Sequence, residues 1–150
     1  MYHADGVRGV FLCGIGEQVD YYLSMKLYDD ASIDPDVLLD EYFSRYFGAA
    51  AQPMKNFYRL IERTYNDPEN YQGAKANQDM HQTEAIAWGR LGTEERMVEL
   101  ERLVDLAQRS ALTDLEKKRV DLWKKGVWDY MAEGRRTYLA KTAQKDQLED

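Results

Sequence analysis

One segment near the N-terminus has the composition of a buried β-strand, and no later segment has the pattern of a partner strand. Residues 6–13 read GVRGVFLC, an apolar and partly β-branched run. Both edges of a single strand carry N–H and C=O groups that must be hydrogen-bonded. The pattern therefore predicts that Val7–Cys13 pairs with a second copy of this chain, giving a homo-oligomer, or with a sheet that belongs to a larger fold.

The rest of the sequence has the periodicity of amphipathic helices. Asp34-Pro35 has the signature of a helix start, Gly48 that of a helix end, and Thr113 with Glu116 that of a capping box. The expected fold is mainly α: a helical bundle of about six helices with one N-terminal β-strand. The predicted helices cover residues 17–30, 35–47, 49–65, 82–90, 93–111 and 114–140, with a long polar loop at 66–80 and a frayed polar tail after 140.

Charge and composition restrict the classes of partner. The net charge of −7 argues against nucleic acid and anionic membrane surfaces, which require basic patches. No apolar run approaches the roughly 20 residues that a membrane span needs. The single cysteine allows no internal disulfide. We therefore expect no nucleic-acid partner, no membrane partner and no cofactor, and the sequence leaves the localisation of the chain open.

A group of polar side chains follows directly on the predicted strand. Glu17, Gln18, Asp20 and Tyr21 fall where α/β barrels place functional groups, after the C-terminal end of a strand. The alternative interpretation is that Glu17 only complements the positive end of a helix. Most of the 11 tyrosines and three tryptophans lie on helix stripes and are expected in the core, but Tyr71 lies in the polar loop, where its ring could stack on a sugar.

The sequence gives only a weak indication of a metal site. His81 and Glu84 have i, i+3 spacing, and Asp79 lies close by. A metal site needs three or four ligands, so a solvated loop is the better interpretation of these residues and no metal is expected. We find no Gly-rich phosphate loop, no nucleophile elbow and no paired-cysteine site, so we predict no catalytic residue in the chain.

The order of these features resembles the end of certain (β/α)₈ glycosidase barrels. The match rests on the strand, the turn Gly14-Ile15-Gly16, the acid and helix after it, Asp34-Pro35-Asp36, and the run YFGAA at residues 46–50. The chain is similar to a bacterial family of unknown function, related to the alpha-glucuronidases and beta-hexosaminidases. The resemblance covers residues 5–65 and continues loosely through 93–138.

The resemblance implies a domain organisation and a sugar contact. Residues 1–48 would be the last strand and helices of a barrel, and residues 49–150 a C-terminal helical extension. In relatives of the hexosaminidase type an acid after the last strand contacts a sugar hydroxyl, and Glu17 stands at that position. Ile15-Gly16 stands where those relatives have a tryptophan. Gln18, Tyr21 and Tyr71 complete the set of predicted carbohydrate-contacting residues.

The expected function follows from the catalytic carboxyl groups that such a chain would lack. Glycoside hydrolysis needs two carboxyl groups held on opposite sides of the sugar, and the relatives supply them from earlier strands. The expected function is therefore a structural C-terminal part of a carbohydrate-active, glycoside-hydrolase-like protein, without activity of its own. Two alternatives stay open: a helical module for protein interaction or oligomerisation, whose strand adds to a partner's sheet, and a small carbohydrate-binding unit using Tyr71.

Overall fold

Helices form nearly all of the described chain. The computed structural model describes residues 18–71 and 83–149. The helices are α1 (Gln18–Asp29), α2 (Pro35–Phe47), α3 (Ala51–Asn66), α4 (Glu94–Ser110) and α5, which runs through Asp114–Trp123, a π-helical turn at Lys124–Trp128 and Asp129–Glu149. Short 3₁₀ turns lie at Gly48–Ala50 and Pro68–Tyr71, and a π-helical segment at Ala85–Leu91 precedes α4.

The mainly α expectation is confirmed, with differences in the individual elements. Five helices are present in the described ranges, and the short helix predicted at residues 82–90 is the π-helical segment Ala85–Leu91. These ranges contain no β-strand, and the predicted strand at residues 6–13 lies outside them. The polar stretch after residue 140 is helical to Glu149 rather than frayed, because its alanine, lysine and glutamine residues favour helix even when exposed.

Several helix ends follow the predicted capping chemistry. Pro35 occupies the first turn of α2, and the Asp34 carboxylate accepts a hydrogen bond from the Asp36 backbone N–H at 2.9 Å. At the start of α5, Thr113 accepts from the Glu116 backbone N–H, and the Glu116 carboxylate accepts in return from the Thr113 N–H. These bonds satisfy N–H groups that have no partner inside a helix.

The core consists of two apolar clusters that share α3, α4 and α5. The first packs the aromatic face of α2 against α1, α3, α4 and α5, and the second packs α3 against α4 and α5. Trp123 contacts both, with ring centroids 5.7 Å from Phe47 and 6.3 Å from Phe57. Phe43 and Phe47 of α2 are fully buried, so the broad aromatic face of α2 is covered on more than one side.

Candidate functional site

The predicted site residues on α1 make contacts inside the bundle. Glu17 lies outside the described residues. The Gln18 Oε1 atom is 3.5 Å from the Tyr42 hydroxyl, which donates to it. The Asp20 carboxylate accepts a hydrogen bond from the Tyr58 hydroxyl at 2.9 Å, linking α1 to α3. Asp20 is thus engaged in holding two helices together.

Tyr21 belongs to an apolar face of α1 that no other described element covers. Tyr21, Met25 and Tyr28 follow one another at i, i+4 and i+7, which places them on one side of the helix. Their exposed fractions are 54%, 50% and 45%. We call these three residues the outer face of α1. The opposite side buries Val19 and packs Tyr22 and Leu23 on the first cluster.

Tyr71 lies away from the residues on α1. Its hydroxyl donates to the Tyr65 backbone carbonyl at 2.9 Å, and the two rings meet edge to face with centroids 6.4 Å apart. Tyr58, which contacts α1 through Asp20, lies on α3 seven residues before Tyr65. These two residues are therefore about 10 Å apart along the helix axis. Among the described residues, Tyr71 is therefore not brought together with Gln18 and Tyr21.

Of the residues considered for a metal site, Glu84 lies within the described ranges. His81 and Asp79 lie outside the described residues. Glu84 forms an ion pair with Lys141 of α5, with oxygen–nitrogen distances of 2.8 and 3.1 Å. Across residues 18–71 and 83–149 no group of three or more His, Cys, Asp or Glu side chains could hold a metal ion. In the same ranges no helix is both long and apolar enough to cross a membrane.

A shallow pocket between α1 and α2 is lined by tyrosines. Tyr22, Tyr42, Arg45 and Tyr46 surround about 190 Å³. The rings of Tyr42 and Tyr46 are stacked, with an interplanar angle of 10° and centroids 5.5 Å apart. The Arg119 guanidinium lies over the Tyr46 ring at 4.4 Å. This tyrosine pocket combines aromatic surfaces with one lining cation, Arg45.

The tyrosine pocket perturbs one of its own hydroxyl groups. Burial, which is the largest cause, and the neighbouring Tyr46 together raise the pKa of Tyr42 to about 12, although the positive charge of Arg119 acts to lower it. The hydroxyl therefore stays protonated through neutral pH and acts as a hydrogen-bond donor. The i, i+4 spacing assigned Tyr42 and Tyr46 to the core, and only their lateral contact with Tyr22 and Arg45 creates the pocket.

An apolar cavity of about 200 Å³ lies between α3, the π-helical segment, α4 and α5. Trp88 and Tyr65 supply aromatic walls, and Arg96 supplies the one charged side chain among the lining residues. The others are Leu60, Ile61, Thr64, Ala87, Leu91, Gly92, Leu100 and Met131. Sequence patterning placed Trp88 on a short helix and gave no sign that α3 and α4 would leave a space beside it.

Two arginines fix the π-helical segment that carries Trp88. Arg96 donates to the Arg90 and Leu91 carbonyls at 2.7 and 3.2 Å. Arg135 donates to the Trp88 carbonyl at 2.9 Å and to the Gly92 carbonyl. The last carbonyls of a helical segment have no intrahelical donors, so these contacts satisfy them and hold the segment against α4 and α5.

No protein-family model, curated protein or solved structure matches this chain. The resemblance to glycosidase barrels accordingly stays a prediction.

Proposed function

We propose that this chain is a non-catalytic helical module that packs through α1 against a glycoside-hydrolase-like (β/α)₈ barrel. The observation that carries the proposal is the outer face of α1, which leaves Tyr21, Met25 and Tyr28 about half exposed. The resemblance of residues 5–65 to the end of such barrels supports the choice of partner. In that arrangement α1 corresponds to the last helix of the barrel.

The composition of α1 favours a partner that covers the outer face of this helix. Seven of its 12 residues are aliphatic or aromatic, and Val19 is the only one of them that is fully buried. A helix that is apolar around most of its circumference is stable in water only when it is covered on several sides. A barrel helix meets this condition, because it packs on the strand wall and on its neighbouring helices.

The described carboxylates support a structural role rather than hydrolysis. A glycosidase holds two carboxyl groups about 5 to 10 Å apart across the sugar. Asp20, the one described acid of the predicted site, accepts the Tyr58 hydroxyl, and Asp36 and Asp40 of α2 pair with Arg59 and Lys55. These acids join helices and do not face one another across a cleft.

The coding frame upstream of Met1 tests the choice of partner. The proposal expects this frame to continue, or a neighbouring gene to encode, alternating strands and helices of a (β/α)₈ barrel. Co-expression of that barrel with this chain should give one complex, and Tyr21→Ser with Met25→Ser should weaken it. A barrel that purifies without this chain, under conditions in which both are folded, would contradict the proposal.

Aryl-glycosides test the absence of catalysis. The isolated chain should show no turnover of aryl glucuronides or aryl N-acetylhexosaminides above a blank without protein. Turnover that is lost in Asp20→Asn or Glu17→Gln, but kept in the exposed control Asp146→Asn, would show that the chain is a catalyst. That result would overturn the structural role.

Carbohydrate binding is a second candidate function, and the tyrosine pocket is the observation that favours it. The tyrosine rings line the pocket with aromatic surface for a pyranose, and Arg45, which pairs with Glu41 at 3.0 Å, lies at its edge as a partner for an acidic sugar. Glucuronic acid, titrated against the Tyr22 and Tyr46 ring resonances in NMR spectra, tests this candidate. Saturable shifts that disappear in Arg45→Gln and persist in the exposed control Arg109→Gln would favour it.

A further inference from the structure

We propose that the apolar cavity beside Trp88 binds a small apolar carboxylate, with a single ring in the cavity and the carboxylate next to Arg96. The proposal does not depend on a barrel partner. Its elements are the size and lining of the cavity, the rigid support of Trp88 and the charge of Arg96. The contacts of the described residues support each of these three elements.

The cavity has the size and chemistry of a site for one ring. An engineered protein cavity of about 150 Å³ with an aliphatic and aromatic lining stays dry and takes up benzene. The present cavity measures about 200 Å³, and its walls are mostly aliphatic side chains with the Trp88 and Tyr65 rings. A sugar would leave its hydroxyl groups without partners in such a lining, so the expected ring is apolar.

Trp88 is fixed in a position that keeps the cavity open. Arg135 binds the carbonyls of Trp88 and Gly92, and Arg96 binds the two carbonyls between them at Arg90 and Leu91. The indole lies directly against Gly134 of α5, where any side chain would overlap the ring. A pre-formed wall of this kind binds a ligand without first having to order itself.

Arg96 adds a positive charge that no described carboxylate neutralises through an ion pair. It donates hydrogen bonds to three neutral oxygens: the Arg90 and Leu91 carbonyls and the Asn70 side-chain oxygen, the last at 3.0 Å. Glu95 is next in sequence and feels this charge, but none of the ion pairs among the described residues includes Arg96. A guanidinium has five N–H donors, so Arg96 can donate to a carboxylate in addition to these three oxygens.

Phenylacetate is the probe that tests ring and charge together. The indole N–H resonance of Trp88, assigned with Trp88→Phe, is followed by NMR during titration of the full chain. We expect a saturable shift with phenylacetate and binding at least about tenfold weaker with neutral 2-phenylethanol and with acetate. No saturable shift with phenylacetate would overturn the site, and equal binding of 2-phenylethanol would overturn the role of Arg96.

Two variants separate binding in the cavity from binding elsewhere. Ala87→Leu adds three carbon atoms at the cavity wall and should weaken phenylacetate binding about tenfold or more. The matched control, Ala140→Leu, adds the same atoms on an exposed turn of α5 and should leave binding unchanged. Arg96→Gln should remove the preference for the carboxylate. Unchanged binding in Ala87→Leu would place the ligand outside the cavity and overturn the proposal.

Discussion

Gly48 is the one described residue whose backbone demands glycine. Its φ of +55° lies in the left-handed region, and the Glu116 carboxylate occupies the space where a side chain would begin. Through Glu116 the end of α2 is packed against the capping box of α5. The Leu112 and Thr113 N–H groups bind this carboxylate and lower its pKa. A substitution at Gly48 therefore disturbs two helix ends together.

Gly48→Ala should lower the free energy of unfolding by about 2 kcal/mol, because a methyl group is strained at this φ and displaces Glu116. Urea denaturation monitored by circular dichroism measures the change. Gly126→Ala is the matched control, since a Cβ at that helical position meets no atom within 4 Å. It should be neutral or stabilising by up to about 1 kcal/mol. Equal stabilities for the two variants would contradict the argument.

The Tyr42 hydroxyl makes stability depend on alkaline pH. Its pKa is about 12 in the folded chain, against an ordinary value of 10. Below pH 10 both states keep the proton and the contribution is complete. Between pH 10 and 12 the unfolded chain loses its proton first, so the free energy of unfolding falls as the pH rises. Because Tyr42 is buried, the difference between the two pKa values corresponds to about 2 to 3 kcal/mol of stability lost across this range.

Tyr42→Phe should remove this part of the alkaline destabilisation. Urea unfolding at about pH 9 and about pH 11.5 measures the free energy on both sides of the transition. The wild type should lose more stability between these values than the variant does. Tyr130→Phe is the control, because Tyr130 is 72% exposed and should keep the wild-type difference. An identical loss in wild type and Tyr42→Phe would refute the role of Tyr42.

Among the elements, the π-helical segment is held by arginines of two other helices, and Arg135 of α5 binds the carbonyls of Trp88 and Gly92. Arg135→Gln should free the Trp88 and Gly92 carbonyls and lower the free energy of unfolding by about 2 kcal/mol. Amide hydrogen exchange should become faster in residues 85–92 and stay unchanged in α2. Arg136→Gln is the control, since Arg136 is an exposed partner of Glu133 and such pairs contribute little. Equal effects at both positions would contradict the prediction.

The presence of most helices was predictable, because it depends on the local pattern of apolar and capping residues. The apolar spacing of α2 and the capping residues Asp34 and Thr113 act within one or two turns, so the sequence alone indicates them. The π-helical geometry at Ala85–Leu91 was not predictable, because contacts from Arg135, more than 40 residues later, help to hold it. The part of α5 after residue 140 was not predictable from periodicity, because this exposed part of the helix has no apolar stripe.

Sites that bring distant helices together could not be predicted from pattern. Tyr22 and Arg45 meet only because α1 packs on α2, and Tyr65 faces Trp88 only because the π-helical segment packs near the end of α3. Periodicity identifies which face of a helix is apolar, but it does not say which other helix covers that face. This limit also explains why Tyr71 was expected at a sugar site, although its hydroxyl and ring contact Tyr65.

At the scale of the whole molecule, α1 carries the outer face that no other described element covers, so this face should govern association. We expect the isolated chain to self-associate reversibly as its concentration rises, because the outer face of α1 would bury itself against a second copy. The triple variant Tyr21→Ser, Met25→Ser, Tyr28→Ser should be monomeric by size-exclusion chromatography with light scattering. It should keep its helical circular dichroism, since none of the three side chains is buried.

A matched triple variant distinguishes this face from general surface hydrophobicity. Val98→Ser, Leu115→Ser and Leu122→Ser remove three side chains that are at least as exposed, on α4 and α5. If α1 drives association, this control should associate like the wild type, because its three sites do not form one stripe on one helix. A wild-type chain that stays monomeric at about 1 mM, where even weak contacts are populated, would show that the outer face of α1 tolerates water without a partner.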